Sequence, residues 1–156
     1  MKLTIVAERP MKLTDIRIDG DTQSRQAINE EVVELYARNM SEGDKFPPII
    51  VFFDGSEYWL SEGFHRYHAV RKNCKEEILT SIVNGTRRDA AWYAMAANNT
   101  HGLRMSVSDR RRCIMRCLKD EEWSKKPDRE IARHCDASHP TVAKMRNELN
   151  RSEEHT

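Results

Sequence analysis

Two stretches of this chain carry residue types whose spacing points to chemistry. The first is SEGFHRYHA, residues 61–69. A strand-like segment ends there, a glycine permits a sharp turn, and a helix begins with His65 and Arg66 in its first turn. Cations at a helix N-terminus oppose the macrodipole. They make sense if an anion sits above them, held by the free backbone N–H groups and completed by the guanidinium. Gly63, Phe64, His65 and Arg66 are therefore candidate phosphate-site residues. The other reading pairs Arg66 with Glu62, and the two stand side by side. Glu62 and His65 are also the residues that could act as acid and base beside such a site.

The second stretch is DREIARHCDASHPTVAKMRNEL, residues 128–149. Ile131 and Cys135 lie four apart, and Val142, Met145 and Leu149 follow i, i+3, i+7 spacing, so two short amphipathic helices are expected around a polar break at Asp136. Their apolar stripes must fold together at a steep angle, which is a helix-turn-helix. Ala132 allows close approach, Ser138 suits the N-cap of the second helix, and Pro140 is tolerated in its first turn. Asp136 stands where such turns favour glycine, and aspartate is among the few residues that adopt the left-handed conformation at modest cost. The geometry implies duplex DNA as partner. His139 and Thr141 are expected near base edges, Lys144 and Arg146 at phosphates, and Arg129 and Arg133 at the backbone from the first helix, with Ser138 in the same DNA-binding set.

These residues need elements to hold them. Alternation around Leu3, Ile5, Ile16 and Ile18 predicts one or two short strands. Residues 28–40 predict an amphipathic helix with Ile28, Val32, Leu35, Tyr36 and Met40 on one face. Ile49–Phe53, Asp54-Gly55 and Tyr58–Leu60 predict a β-hairpin. A helix over 65–73, a strand over 78–83 and helices over 88–97 and 108–120 follow. The expected architecture is α+β, with a small mixed sheet and helices over residues 1–105, an all-helical module over 106–150, and a frayed tail from Arg151.

The chain has 156 residues, is 33% charged and carries a formal net charge of +1, so the total does not announce nucleic acid. The distribution is more telling. Residues 1–105 hold 14 basic and 15 acidic side chains, whereas 106–150 hold 11 and 8, with Arg110, Arg111 and Arg112 consecutive. Positive charge gathers where phosphates would be met. No apolar run is long enough to span a bilayer and no leader opens the chain, so a soluble, cytoplasmic protein without membrane partners is expected. The cysteines show no CxxC spacing; Cys113, Cys117 and Cys135 read as small core residues in preference to a zinc site.

Three motifs in order resemble the ParB/sulfiredoxin superfamily, and in particular the N-terminal half of ParB-type partition proteins. Gln23-Ser24-Arg25 resembles the Q-x-R after the first strand. Pro47 to Val51 followed by Gly63-Phe64-His65-Arg66 resembles the P-[IL]-x-V strand and G-x-[RH]-R box. Asn98-Asn99-Thr100-His101-Gly102-Leu103-Arg104 resembles the E-N-x-x-R box. The resemblance implies a nucleoside triphosphate, CTP or ATP with Mg, at Gln23, Arg25, Gly63, Phe64, His65, Arg66, Asn98, Asn99, His101 and Arg104, with Asn98 or Asn99 as Mg ligand. It implies a DNA-binding protein of plasmid, phage or chromosome partition or of transcription regulation, forming a homodimer when loaded. A dimer held by a domain beyond the helix-turn-helix is not expected, since the chain ends shortly after that motif. Sulfiredoxins attack with a cysteine of this box; Phe64 stands there and cannot, so redox repair is excluded. The rival reading is an enzyme of the same fold, a slow NTPase, phosphotransferase or nuclease, with the helical module as docking platform.

Overall fold

The computed structural model describes residues 3–25, 27–97 and 105–154. The chain divides into two compact units, residues 1–94 and 95–156. The boundary thus falls inside a helix, earlier than the 105/106 junction expected from sequence.

The first unit is built on a five-stranded mixed sheet. Its strands are β1 (Ile5–Lys12), β2 (Ile16–Arg17), β3 (Ile49–Phe53), β4 (Tyr58–Glu62) and β5 (Glu77–Asn84), in the order β1-β5-β3-β4-β2. β1 with β5 and β3 with β4 run antiparallel; β3 with β5 and β2 with β4 run parallel. The helices are α1 (Glu30–Ser41), α2 (Phe64–Lys72) and α3 (Arg87–Ala97). Alternation along the strands sends side chains to two faces. Met11, Ile49, Val51, Leu60, Ile78 and Ile82 join Phe64 and Tyr67 of α2 in one core. Phe52 and Val83 join Ala90 of α3 in another, with Trp59 and Tyr93 packed against it.

Asn29 starts α1 by accepting from the N–H groups of Glu31 and Val32, satisfying two donors that have no intrahelical partner. The buried residues of α1 are Val33 and Ala37, which cluster with Ala69 of α2. Leu35 is exposed. Ile28, Tyr36 and Met40 of the expected face pack against this cluster, and the face is centred on the smaller Val33 and Ala37, so that Leu35 alone is turned out to solvent. The hairpin formed as its sequence implied. Asp54 Oδ1 accepts from the N–H groups of Ser56 and Glu57, its Oδ2 accepts from Trp59 Nε1, and Gly55 takes φ +100°.

The second unit holds α4 (Val107–Lys119), a 3-10 turn at Trp123–Lys125, α5 (Asp128–His134) and α6 (His139–Glu154). Ser106 and Asp109 form a reciprocal capping box at the start of α4. Cys113, Ile114, Cys117, Leu118, Trp123, Ile131, Ala132, Cys135, Val142 and Met145 are buried. The three buried cysteines are free thiols, and no cluster of three or more metal-ligating side chains occurs among the described residues. Burial holds the Cys113 thiol at about 12, as befits a core residue. The tail does not fray at Arg151; α6 continues through Glu154. Among the described residues no helix is long and apolar enough to cross a membrane.

Candidate functional site

The turn between β4 and α2 is set by sterics. Gly63 sits at φ +105°, and a Cβ there would lie 2.5 Å from Ile49 Cγ2. Only glycine tolerates both demands. No side chain caps α2, so the first-turn N–H groups are available to a ligand.

The segment before α1 lies against this turn. Thr22 donates its hydroxyl proton to the Leu60 carbonyl of β4, and Thr22, Ser24 and Arg25 are buried. The Arg25 backbone N–H donates to Gln23 Oε1 at 3.2 Å. The other end of that amide is unusual. Gln23 Nε2 is buried and has no hydrogen-bond partner among the described residues. Nearly all buried polar atoms are paired, so an orphan donor marks a place where something else is expected to bind.

His65 is buried, and its Nε2 accepts from the Asn29 N–H at 3.1 Å. Burial, then the nearby Arg25 and His68, push its pKa down to about 4. His65 is thus neutral near pH 7 and carries its proton on Nδ1, a donor without charge. It links the start of α1 to the start of α2, which suits a positioning role better than acid–base work.

Arg66 departs from the expectation that it completes an anion site. Its Nη1 donates to the carbonyls of Pro47 (2.7 Å) and Pro48 (3.0 Å), and Nη2 lies 3.6 Å from Glu62 Oε1. The guanidinium ties down the segment entering β3, and of the two readings the Glu62 pairing is the one the structure adopts. Tyr93 also hydrogen-bonds Glu62, and burial together with that carboxylate holds the phenol at about 12. Glu62 is therefore enclosed between a phenol and a guanidinium, so it is not placed as a catalytic acid or base. Phe64 is a core residue of α2. Asn98, Asn99, His101 and Arg104 lie outside the described residues.

In the second unit α5 and α6 meet through a four-residue turn in which Asp136 takes φ +54°. The Ala137 N–H donates to the Ala132 carbonyl at 2.8 Å, closing the end of α5. Ser138 Oγ accepts from the Thr141 N–H and pairs with Thr141 Oγ1 at 2.7 Å. These two hydroxyls serve first as the N-cap of α6. Arg129, Arg133, Ser138, His139 and Lys144 are exposed and Thr141 half-buried. Arg146 is not at the surface as expected. Its three nitrogens donate to Asp128 Oδ1 and to the carbonyls of Ser124 and Lys126. Two exposed residues were missed: Asn147 and Arg151 lie three and seven positions beyond Lys144, on the same stripe of α6. The i, i+3, i+7 spacing that marked the apolar face would have found them.

The family model described as the ParB N-terminal domain matches residues 4–99. The chain belongs to this ParB family. It is 30% identical over 112 residues to the transcriptional regulator NovG of Streptomyces niveus, an overlap covering 71% of this chain and 34% of that protein. The chain therefore aligns with about a third of NovG. Its fold is similar to that of the C-terminally truncated chromosome-partitioning protein ParB of Caulobacter crescentus. Against the complex with the centromeric parS site the TM-score is 0.61 at 16% identity, covering 90% of this chain and 71% of the other. Against the complex with CTP-gamma-S it is 0.54 at 16% identity, covering 92% and 79%. At these identities the two ParB structures speak for the fold alone.

Proposed function

We propose that the chain is a ParB-type DNA-binding regulatory protein whose first unit takes a nucleoside triphosphate, CTP or ATP with Mg, and whose second unit holds duplex DNA. The observation that carries the nucleotide reading is the buried, unpartnered Gln23 Nε2, two residues from the buried Arg25, whose charge reaches His65 in the first turn of α2. The residues present fit a polyphosphate. Gln23 offers an amide donor, Arg25 a guanidinium, the neutral His65 an N–H, and α2 its first-turn amides. When bound, the metal would neutralise phosphate charge; Asn98 or Asn99 is the proposed ligand. Arg66 acts behind the site by fixing Pro47 and Pro48.

The DNA reading rests on the α5–turn–α6 geometry, with Arg129, Arg133, Ser138, His139, Thr141 and Lys144 as contact residues. The Caulobacter crescentus partner complexes, one with parS and one with CTP-gamma-S, support both halves, and the likeness to NovG supports a regulatory role. A homodimer on ligand loading and a cytoplasmic location belong to the same proposal.

Equilibrium dialysis of the four nucleoside triphosphates with Mg tests it. The parent should bind at least one, and Arg25→Ala and Gln23→Leu should weaken binding by tenfold or more while leaving DNA binding in place. Unchanged nucleotide binding by Arg25→Ala would sink the site assignment.

A further inference from the structure

Three sulfur atoms meet inside the second unit. Cys117 lies in the last turn of α4, and Cys135 is the C-cap of α5. Both are fully buried, and so is Met95. The Cys117 thiol donates to Met95 Sδ at 4.0 Å, and its own sulfur is hydrogen-bonded by the Cys135 thiol. Cys113 lies one turn earlier on α4, and all three cysteines are free. The fourth, Cys74, is exposed and belongs to the first unit. A small hydrophobe would fill the core at 117 and 135 equally well, so what two touching thiols add is reactivity.

The two thiols of the pair are not equivalent. The hydrogen bond from Cys135, with Arg116 and Lys126 nearby, draws the Cys117 thiol below its ordinary range against burial and Asp120. The same hydrogen bond, followed by burial, pushes Cys135 up. Cys113 is pushed up to about 12 by burial first and Cys117 second. The thiolate is the form that attacks, so Cys117 is the nucleophile of the group and Cys135 the thiol in place to follow it.

We infer that Cys117 and Cys135 are an oxidisable pair, which hydrogen peroxide closes to a disulfide joining α4 to the end of α5. The Cys117 thiolate attacks one peroxide oxygen and the O–O bond breaks. Hydroxide departs, takes up the proton that Cys117 released, and leaves as water; Cys117 is now a sulfenic acid. The Cys135 sulfur then attacks the Cys117 sulfur, the S–O bond breaks, and the hydroxyl leaves as a second water with the Cys135 proton. Two thiols have lost two protons and two electrons, and one peroxide has become two waters. Both sulfurs are closed to solvent, so the oxidant enters by local opening of the unit and reaches them more slowly than it reaches Cys74. Closing the bond draws the sulfurs from hydrogen-bond distance to about 2 Å. Cys135 directly precedes Asp136, which holds φ +54° in the turn between α5 and α6, so the pull is felt where the second helix is set on the first. The disulfide thereby changes duplex binding, a consequence that rests on the proposed DNA reading; the sulfur chemistry does not.

The test uses the full chain carrying Cys74→Ser, which removes the exposed thiol. It is treated with hydrogen peroxide without denaturant, then digested with trypsin and weighed without reduction. Trypsin cuts after Arg116 and so separates Cys113 from Cys117. The expected result is a peptide pair linked through Cys117 and Cys135, a loss of two hydrogens per chain, and reversal by dithiothreitol. Adding Cys113→Ala should leave that link in place. Adding Cys135→Ala should halt the reaction at a Cys117 sulfenic acid, trapped with dimedone when the chain is opened in urea. Thiols that stay unmodified until urea is present would be inert core residues and would overturn the inference. A Cys113–Cys117 link, or sulfinic acid without any link, overturns it as well. Duplex affinity should differ by about fivefold or more between the reduced and oxidised chain and return with dithiothreitol, the lower end of ordinary coupling between two sites. A link that forms and leaves that affinity unchanged removes the regulatory consequence. If the reduced chain binds no duplex, the DNA reading fails and the mapped link stands by itself.

Discussion

Arg146 Nε on α6 donates to Asp128 Oδ1 at the start of α5, 2.7 Å away, while its other two nitrogens take the Ser124 and Lys126 carbonyls. Both side chains are mostly buried, at 28% and 29% exposure, so this pair is less screened than a surface ion pair. One guanidinium thus fixes the angle between the two helices and the segment leading into them. Arg146→Ala should destabilise the second unit by about 2–3 kcal/mol, because two carbonyls and a carboxylate lose their donor together. Arg146→Lys should recover little, since an ammonium cannot reproduce the fork. Urea unfolding followed by helix circular dichroism measures both. If Arg146 instead held a phosphate, stability would be unchanged and the salt dependence of DNA binding would become shallower.

Gly63→Ala should disable the first unit at its turn. The new methyl meets Ile49 Cγ2 at 2.5 Å, and the backbone φ of +105° is strained for any L side chain. A cost on the order of 3 kcal/mol is expected from the two effects together. Nucleotide-dependent thermal stabilisation should vanish in the same variant. A melting temperature equal to the parent's would contradict the close packing of this turn on β3.

His65 gives the first unit a pH dependence of known sign. Its folded pKa is lowered to about 4 from an ordinary 6.5, so the unfolded chain takes up the proton first as pH falls. The stabilising contribution is full above pH 6.5 and is lost progressively between 6.5 and 4. Discounted for residual solvent screening, the loss is on the order of 1–2 kcal/mol. Unfolding free energies measured from pH 7 to pH 4.5 should fall in the parent and fall less in His65→Gln. Equal slopes would remove His65 as the cause.

Local chemistry made the paired helices α5 and α6, the β3–β4 hairpin and the Gly63 turn legible in the sequence. Each is decided within a few residues by an apolar period, an Asp-Gly pair, or a glycine between a strand and a helix. Contacts made across the fold were not legible. Arg66 reads as an anion ligand because its neighbours in sequence say so; the carbonyls that claim it, at Pro47 and Pro48, are 19 and 18 positions away. Arg146 was misplaced for the same reason. The face of α1 was legible at Ile28, Tyr36 and Met40 but its centre was not, because the contact with Ala69 selects Val33 and Ala37 and leaves Leu35 exposed. The orphan amide of Gln23 could not be foreseen, since being unpartnered is a property of the assembled interior.

Asp136 tests the turn between α5 and α6. At φ +54° aspartate pays a small cost that glycine would not. Asp136→Gly should leave stability within about 0.5 kcal/mol of the parent or raise it slightly, whereas Asp136→Val should cost about 1–2 kcal/mol. Thermal unfolding of the two variants decides it. Equal stability of the valine and glycine variants would mean the turn is not left-handed.

Lys144 and Asn147 should separate phosphate holding from base reading on one helix stripe. Both are exposed on α6, three positions apart, and side chains at that spacing share a face. Lysine is a point charge suited to phosphate, whereas the asparagine amide can pair with an adenine edge. Lys144→Ala should weaken binding to any duplex and flatten the plot of log affinity against log salt by about one unit. Asn147→Ala should leave that slope unchanged and instead erase preference at one position, worth about 1–3 kcal/mol, in duplexes enriched by the parent from a random pool. The two variants make opposite demands on the same measurements, so a general loss of fold cannot imitate either. If both changed only the salt slope, this stripe would hold the backbone, and sequence reading would fall to His139 and the N-terminal turn of α6.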